Sequence, residues 1–247
     1  ADAPRGLVQR GGGAGAPVVL VLIQGRPRLL GKTADLPDAI LTAYNPGPEG
    51  GQAIMEVLYG QVNPSGHLPF TYPRDPVGFT TYDRKYSENQ DREGGMNGFN
   101  PLFQFGDGLS YTEFAVRDLS VGTASIDAEA LQAGDPVGVD VTIANTGDRS
   151  GKDVVQLYLR DLYASVTPSV KQLARFAKVD LAPGESTRLS FTLRAEDFSF
   201  IGQDGRPVVE PGTFRLDAGE ASVELEVTGE RFEPNLRQAE MQPGSTR

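Results

Sequence analysis

The sequence predicts a short α/β portion, with strands of a parallel sheet and one helix, followed by an all-β two-sheet sandwich. Three observations predict this order. The run Val18–Ile23 is continuously apolar and rich in β-branched residues, which is typical of a strand buried on both faces of a parallel sheet. A strand, loop and helix pattern follows around Asn45–Gly51. From Tyr111 to Gly229, apolar and polar residues alternate with a period of two, as in half-buried strands.

The α/β portion contains two predicted strands and one predicted helix. The second strand is expected at Ile40–Tyr44, and the loop Asn45–Gly51 (NPGPEGG) contains two prolines and three glycines that force a sharp turn. The helix is expected at Gln52–Tyr59, because its apolar residues fall on one helical face. Gly60 is expected to end the helix as a C-terminal cap.

Changes in pattern divide the chain into four predicted segments. Residues 1–72 form the α/β portion, 73–110 an ordered connector held in place by its aromatic residues, 111–229 the sandwich and 230–247 a polar tail. Turn sequences such as NTGDRSG, APGE and EPGT separate roughly seven alternating strands in the sandwich.

Composition limits the possible partners. The net charge of −10 argues against nucleic acid, since phosphate binding needs a basic surface. The chain has no cysteine, and His67 is its single histidine, so neither a multi-histidine metal site nor a cofactor is expected. The longest apolar run, Ala16–Ile23, is far shorter than a membrane span, so no membrane partner is expected.

Two sequence blocks resemble the C-terminal part of family 3 glycoside hydrolases, the β-glucosidase and β-xylosidase group. The first, Pro17–Tyr72, contains the PGPEGG loop and then NPSGHLPFTY, and it resembles the last strands and helix of the family's α/β sandwich domain. The second, Asn100–Gly219, contains NPLFQFGDGLSYTEF, NTGDRSGKDVVQLYLRD and VTPSVKQLARFAKVDLAPGES. It resembles the immunoglobulin/fibronectin type III-like domain that closes many of these enzymes.

The resemblance implies a supporting part of a retaining, exo-acting β-glycosidase. In the family the nucleophile is an Asp of an N-terminal (β/α)8 barrel, and the acid/base is generally a Glu on an earlier loop of the α/β domain. Both would precede Ala1, so neither catalytic role is assigned here and the chain alone is predicted to be inactive. The implied partners are an oligo- or aryl-β-glycoside, bound by the full-length enzyme, and the missing barrel domain. A periplasmic or secreted location is also implied. The alternative is a stand-alone fibronectin III-like binding or adhesion module.

Three residues are candidates for contact with the substrate or for support of residues that contact it: Glu49, Tyr82 and Tyr86. Glu49 follows a predicted strand, where α/β sheets place their ligands. Its alternative role is that of an acid at a helix N-terminus that holds the loop by hydrogen bonds. Tyr82 and Tyr86 lie among charged residues of the connector, and the alternative there is a solvated loop. His67 is expected to be a strand or loop residue.

Overall fold

The structure is a computed structural model that describes residues 15–76, 81–85 and 100–235. These residues form two compact units. The first contains the described residues up to 62, with those of 68–81 and 100–107; the second contains 63–67, 82–85 and 108–235. The chain therefore enters the second unit at residues 63–67 and then returns to the first. Among the described residues, no helix is long and apolar enough to cross a membrane.

The first unit contains the predicted parallel strands and helix. Strands β1 (Val19–Ile23) and β2 (Ala39–Tyr44) pair in parallel, with Leu20 opposite Ile40. A short 3-10 helix (Gly31–Thr33) lies between them in the chain, and helix α1 (Gly50–Leu58) follows β2. The α/β class predicted for this part is confirmed.

Glycines set both ends of α1. The helix begins at Gly50, two residues earlier than predicted, where a Cβ atom would lie only 2.5 Å from the ring carbons of Pro46. The absence of a side chain lets the first turn pack against the proline. At the other end Gly60 has φ 71°, and its N–H donates to Val57 O while the N–H of Gln61 donates to Glu56 O. This pair of bonds is a Schellman motif, so the predicted cap at Gly60 is confirmed.

Aromatic packing around Tyr72 joins distant parts of the first unit. Tyr72 is 1 % exposed, its hydroxyl donates to Arg28 O at 2.7 Å, and its ring lies edge-on to Phe103 at 6.0 Å. The backbones of Tyr72 and Phe103 also form an antiparallel bridge. Part of the predicted connector is therefore held against the α/β unit.

The second unit is a sandwich of two antiparallel-rich sheets. One sheet has the strand order β4-β12-β11-β6-β7 and the other has β3-β5-β8. Among the described residues this makes eight strands where the sequence predicted about seven. The shortest of the eight is β4, a three-residue strand that pairs in parallel with β12. The elements are β3 (Phe114–Val121), β4 (Ser125–Asp127), α2 (Ala128–Ala133), β5 (Val137–Asn145), β6 (Gly151–Asp161), β7 (Gln172–Leu181), β8 (Ser186–Leu193), a 3-10 helix (Ala195–Phe198), the two-residue pair β9 (Phe200–Ile201) and β10 (Pro207–Val208), β11 (Gly212–Ala218) and β12 (Ala221–Thr228).

The alternating residues predicted to face inward form the sandwich core. Val137, Val139, Val141 and Ile143 of β5 are each at most 1 % exposed. Burial of one such side chain contributes about 1.5–3 kcal/mol relative to exposure. The inward-facing residues of both sheets belong to one apolar cluster, so the all-β sandwich class predicted for this part is confirmed. The other fully buried members include Leu157, Leu193, Phe214, Leu216 and Leu225.

Candidate functional site

Glu49 lies at the carboxyl end of β2, as the N-cap residue of α1. Its backbone O accepts the N–H of Ala53 at 3.1 Å, but its exposed side chain makes no capping hydrogen bond within the described residues. The position at the helix N-terminus is as the sequence indicated. Among the residues that the structure describes, the Glu49 side chain forms none of the hydrogen bonds that were expected to hold the loop.

The carboxyl end of β1 and the residues that follow it line an open cavity of about 550 Å³ in the first unit. Its lining is polar and basic and consists of Ile23, Gln24, Gly25, Arg26 and Arg28. A Cβ atom on Gly25 would lie 3.0 Å from Nδ2 of Asn45, so the loops that follow the two strands are in contact. Ligands of α/β sheets bind at such strand ends. The guanidinium and amide groups could donate hydrogen bonds to hydroxyl or carboxylate oxygens, whereas Glu49 does not line this cavity.

Tyr82 has a packing role at the edge of the sandwich. Its hydroxyl accepts the N–H of Leu173 at 3.2 Å, and its ring lies edge-on to Tyr158 at 6.3 Å. The next residues continue along the same edge, since the N–H of Val170 donates to Arg84 O. Glu49 and Tyr82 belong to different compact units, and Tyr86 lies outside the described residues.

A polar cluster that the sequence did not predict surrounds residues Asn63–His67. Nε2 of His67 lies 2.7 Å from Oδ1 of Asp153 on β6, and Oδ1 of Asn63 accepts the N–H of Tyr111 at 2.7 Å. The cluster borders a cavity of about 290 Å³ within the second unit. His67 and Asp153 are 86 residues apart in the chain, so no local spacing could have paired them.

A second unpredicted group consists of two carboxylates, Asp161 at the end of β6 and Glu210 between β10 and β11. Oδ1 of Asp161 accepts the N–H of Tyr163 at 3.0 Å, and Oε2 of Glu210 accepts the N–H of Ser165 at 2.9 Å. Burial raises the pKa of Asp161 to about 6; the hydrogen bond from Tyr163 lowers it and the charge of Glu210 raises it. A raised carboxyl pKa beside a second carboxylate also occurs in glycosidase sites. Here both groups instead bind backbone amides of one loop, which is a structural arrangement.

The described residues contain no group of three or more His, Asp or Glu side chains that could hold a metal ion.

Comparison with known families matches both units. Residues 2–111 match the glycosyl hydrolase family 3 C-terminal domain. The chain carries the C-terminal domain of family 3 glycosyl hydrolases. Residues 153–222 match a fibronectin type III-like domain, so the resemblance inferred from the sequence is confirmed in both parts.

The proteins that are similar to this chain include β-glucosidases and β-xylosidases. The chain is 46 % identical over 226 residues to a lysosomal beta glucosidase of Dictyostelium discoideum, covering 85 % of this chain and 26 % of that protein. It is 39 % identical over 214 residues to a beta-xylosidase of Formosa agariphila, covering 84 % of this chain and 28 % of that protein. The crystal structure of the Listeria innocua beta-glucosidase in complex with glucose superimposes with a TM-score of 0.81 at 32 % identity, covering 91 % of this chain and 32 % of that one. The chain thus spans about a third or less of these relatives.

Proposed function

We propose that this chain is the C-terminal structural part of a retaining, exo-acting β-glycosidase that hydrolyses O-glycosidic bonds in oligo- or aryl-β-glycosides. The nucleophile and the acid/base lie outside this chain. One observation carries the proposal: the chain matches a family 3 C-terminal domain followed by a fibronectin type III-like domain, yet spans only 26 % of a β-glucosidase and 28 % of a β-xylosidase. A retaining mechanism needs two carboxyl groups about 5–5.5 Å apart across the scissile bond.

The role of the first unit would be to complete a larger parallel sheet. Strands β1 and β2 form a two-stranded sheet whose apolar side chains Val19 and Ile23 are 42 % and 64 % exposed. Parallel strands are normally buried on both faces, and an isolated strand pair is marginal in water. Further strands and helices of a longer protein would cover these side chains.

The assignment of catalysis to another part of the protein can be tested with aryl glycosides. We expect the 247-residue chain to release no 4-nitrophenol from 4-nitrophenyl β-glucoside or β-xyloside, and a longer protein that includes the barrel to release it. Hydrolysis by the chain alone, at a rate proportional to its concentration, would contradict the proposal.

Glu49 remains a proposed substrate-side residue of that longer protein. The Glu49 carboxylate is exposed and makes no capping hydrogen bond within the described residues, so it is available to a substrate. Glu49→Gln should therefore lower kcat/KM if the loop faces the substrate. Glu56→Gln is the matched control, since Glu56 lies on the same helix and accepts a hydrogen bond from Gln52 at 2.7 Å. Equal kcat/KM values for the two variants would remove Glu49 from the proposal.

A fibronectin III-like binding module is the second candidate. Tyr163 and Phe176 of the sandwich are 80 % and 48 % exposed, and exposed aromatic rings suit stacking on sugar faces. Retention of the chain on insoluble glucan, with loss in Tyr163→Ala or Phe176→Ala, would favour this function. Recovery of all the protein in the unbound fraction would exclude it for that polymer.

A further inference from the structure

We propose that the sandwich binds the segment Asn63–His67 as a peptide, in a cleft that the sandwich itself builds. This segment is called the clasp below. It belongs to the second compact unit, although the residues on both sides of it, Val62 and Leu68, belong to the first. The clasp is thus a part of the second unit that comes from a stretch of chain otherwise assigned to the first. The inference does not depend on the glycosidase function.

Both ends of the clasp are recognised by side-chain hydrogen bonds. At one end Oδ1 of Asn63 accepts the N–H of Tyr111 at 2.7 Å, and Nδ2 donates to Oγ of Ser110 at 2.8 Å. At the other end Nε2 of His67 meets Oδ1 of Asp153 at 2.7 Å, with each side chain 21 % exposed. The amide of Asn63 both donates and accepts, and the imidazole of His67 contacts a carboxylate. Hydrogen bonds of this kind fix the orientation of the clasp in the cleft.

The middle of the clasp is recognised through its backbone. Nζ of Lys178 donates to Ser65 O at 3.3 Å. A Cβ atom on Gly108 would lie 2.5 Å from Gly66 O, and one on Gly151 would lie far inside van der Waals distance of Nδ2 of Asn63. The cleft therefore admits the clasp only because both of these facing positions are glycine.

The sandwich fixes the cleft without help from the clasp. Oγ1 of Thr112 donates to Oδ1 of Asn145 at 2.8 Å, and Asn145, 1 % exposed, donates to Leu181 O and Arg149 O. These bonds hold the residues next to Tyr111 in place. A cleft ordered in advance lowers the entropy cost of binding, and Pro64 restricts the clasp in the same way.

The first test measures opening of the clasp in the full chain. The amide hydrogen of Tyr111 donates to the clasp, whereas that of a β5 residue such as Val141 reports unfolding of the sandwich. We expect His67→Ala and Asp153→Ala each to speed hydrogen exchange at Tyr111 about tenfold and to leave Val141 unchanged. The double variant should be no faster than the faster single variant, because both changes remove the same contact.

Matched variants separate a docked peptide from an ordinary part of the sandwich. Lys152 and Asp180 form an exposed pair at 3.6 Å on β6 and β7, and replacing both by Ala should leave the Tyr111 rate unchanged. If exchange at Val141 accelerates as much as at Tyr111 in the His67→Ala chain, the clasp opens only with the whole sandwich. That result would overturn the proposal.

The second test supplies the clasp as a separate molecule. A synthetic peptide of residues 61–69 (QVNPSGHLP) is added to a full chain that carries Asn63→Ala and His67→Ala, and amide shifts are followed by NMR. We expect saturable shifts near Tyr111 at millimolar peptide, the range set by intramolecular effective concentrations. The shifts should be absent in the wild-type chain, where the cleft is occupied, and when Asp153→Ala is added. Equal shifts with a scrambled peptide would refute specific recognition.

Discussion

Replacement of Asp161 by Asn tests whether a buried carboxylate destabilises the sandwich at neutral pH. Asp161 ends β6; its Oδ1 accepts the N–H of Tyr163, whereas its Oδ2 is buried and has no hydrogen-bond partner among the described residues. Burial therefore raises the pKa of Asp161 from 3.8 to about 6. The folded state holds this proton more tightly than the unfolded chain, in which aspartate titrates near about 3.9.

The sign and size of the effect follow from proton linkage. Because the pKa of this acid is higher in the folded state, the protonated group stabilises the fold fully below about pH 4, and that stability is lost as the pH rises to about 6. The gap of about 2 pH units sets a ceiling of about 3 kcal/mol, at about 1.4 kcal/mol per unit. Since Asp161 is only partly buried as a residue, solvent screening reduces the expected effect to about 1–2 kcal/mol.

Urea unfolding of wild type and Asp161→Asn between pH 4 and pH 7.5 measures this effect. The variant keeps the shape of the side chain and the acceptor for Tyr163 but cannot ionise. We expect wild type to lose about 1–2 kcal/mol of unfolding free energy relative to the variant as the pH rises. Asp180→Asn, at an exposed position, is the control and should show a difference within about 0.5 kcal/mol. A difference between wild type and Asp161→Asn that stays constant over this range would refute the reasoning.

Four further substitutions test the packing within each of the two units. Asn145→Ala should lower the unfolding free energy of the sandwich by about 2–4 kcal/mol in urea titration, because it removes the buried hydrogen bond to Leu181 O and the partly buried one to Arg149 O; a loss below about 1 kcal/mol would contradict this. Gly60→Ala should lower the free energy of unfolding by about 1 kcal/mol, because φ at this position is 71°. Gly51→Ala should instead raise it by about 0.5–1 kcal/mol, because Gly51 lies inside α1 and a Cβ atom there would meet open space. If thermal unfolding gives the same sign for both variants, backbone conformation does not decide the effect. Phe214→Ala should lower the free energy of unfolding, measured by calorimetry, by about 3–5 kcal/mol, because the residue is 1 % exposed and its ring lies edge-on to Phe198 at 5.1 Å. A change near zero would contradict this and would mean that the core repacks to fill the cavity.

Predictions from sequence were most accurate where the cause is local. The alternation of Val137, Val139 and Val141 fixes which face of β5 is buried, and the left-handed conformation of Gly60 fixes the end of α1. The start of α1 was predicted two residues too late, because glycine usually favours loops. Gly50 is instead helical, and its lack of a side chain lets it pack against Pro46. The candidate residues were less predictable, since Glu49 and Tyr82 were chosen for chemical type, and chemical type does not reveal what a side chain contacts.

The sequence by itself determined the fold class, the family and the order of the two parts. The features that carry this information are hydrophobic periodicity, the positions of glycine and proline, and family motifs, and each of them lies within a short stretch of the chain. Only the tertiary structure decided that the clasp belongs with the sandwich, that His67 contacts Asp153, and that burial raises the pKa of Asp161. These features depend on residues far apart in the chain and on the burial that the folded sheets create. Ion pairs and side-chain hydrogen bonds of this kind can therefore be assigned only from the folded sandwich.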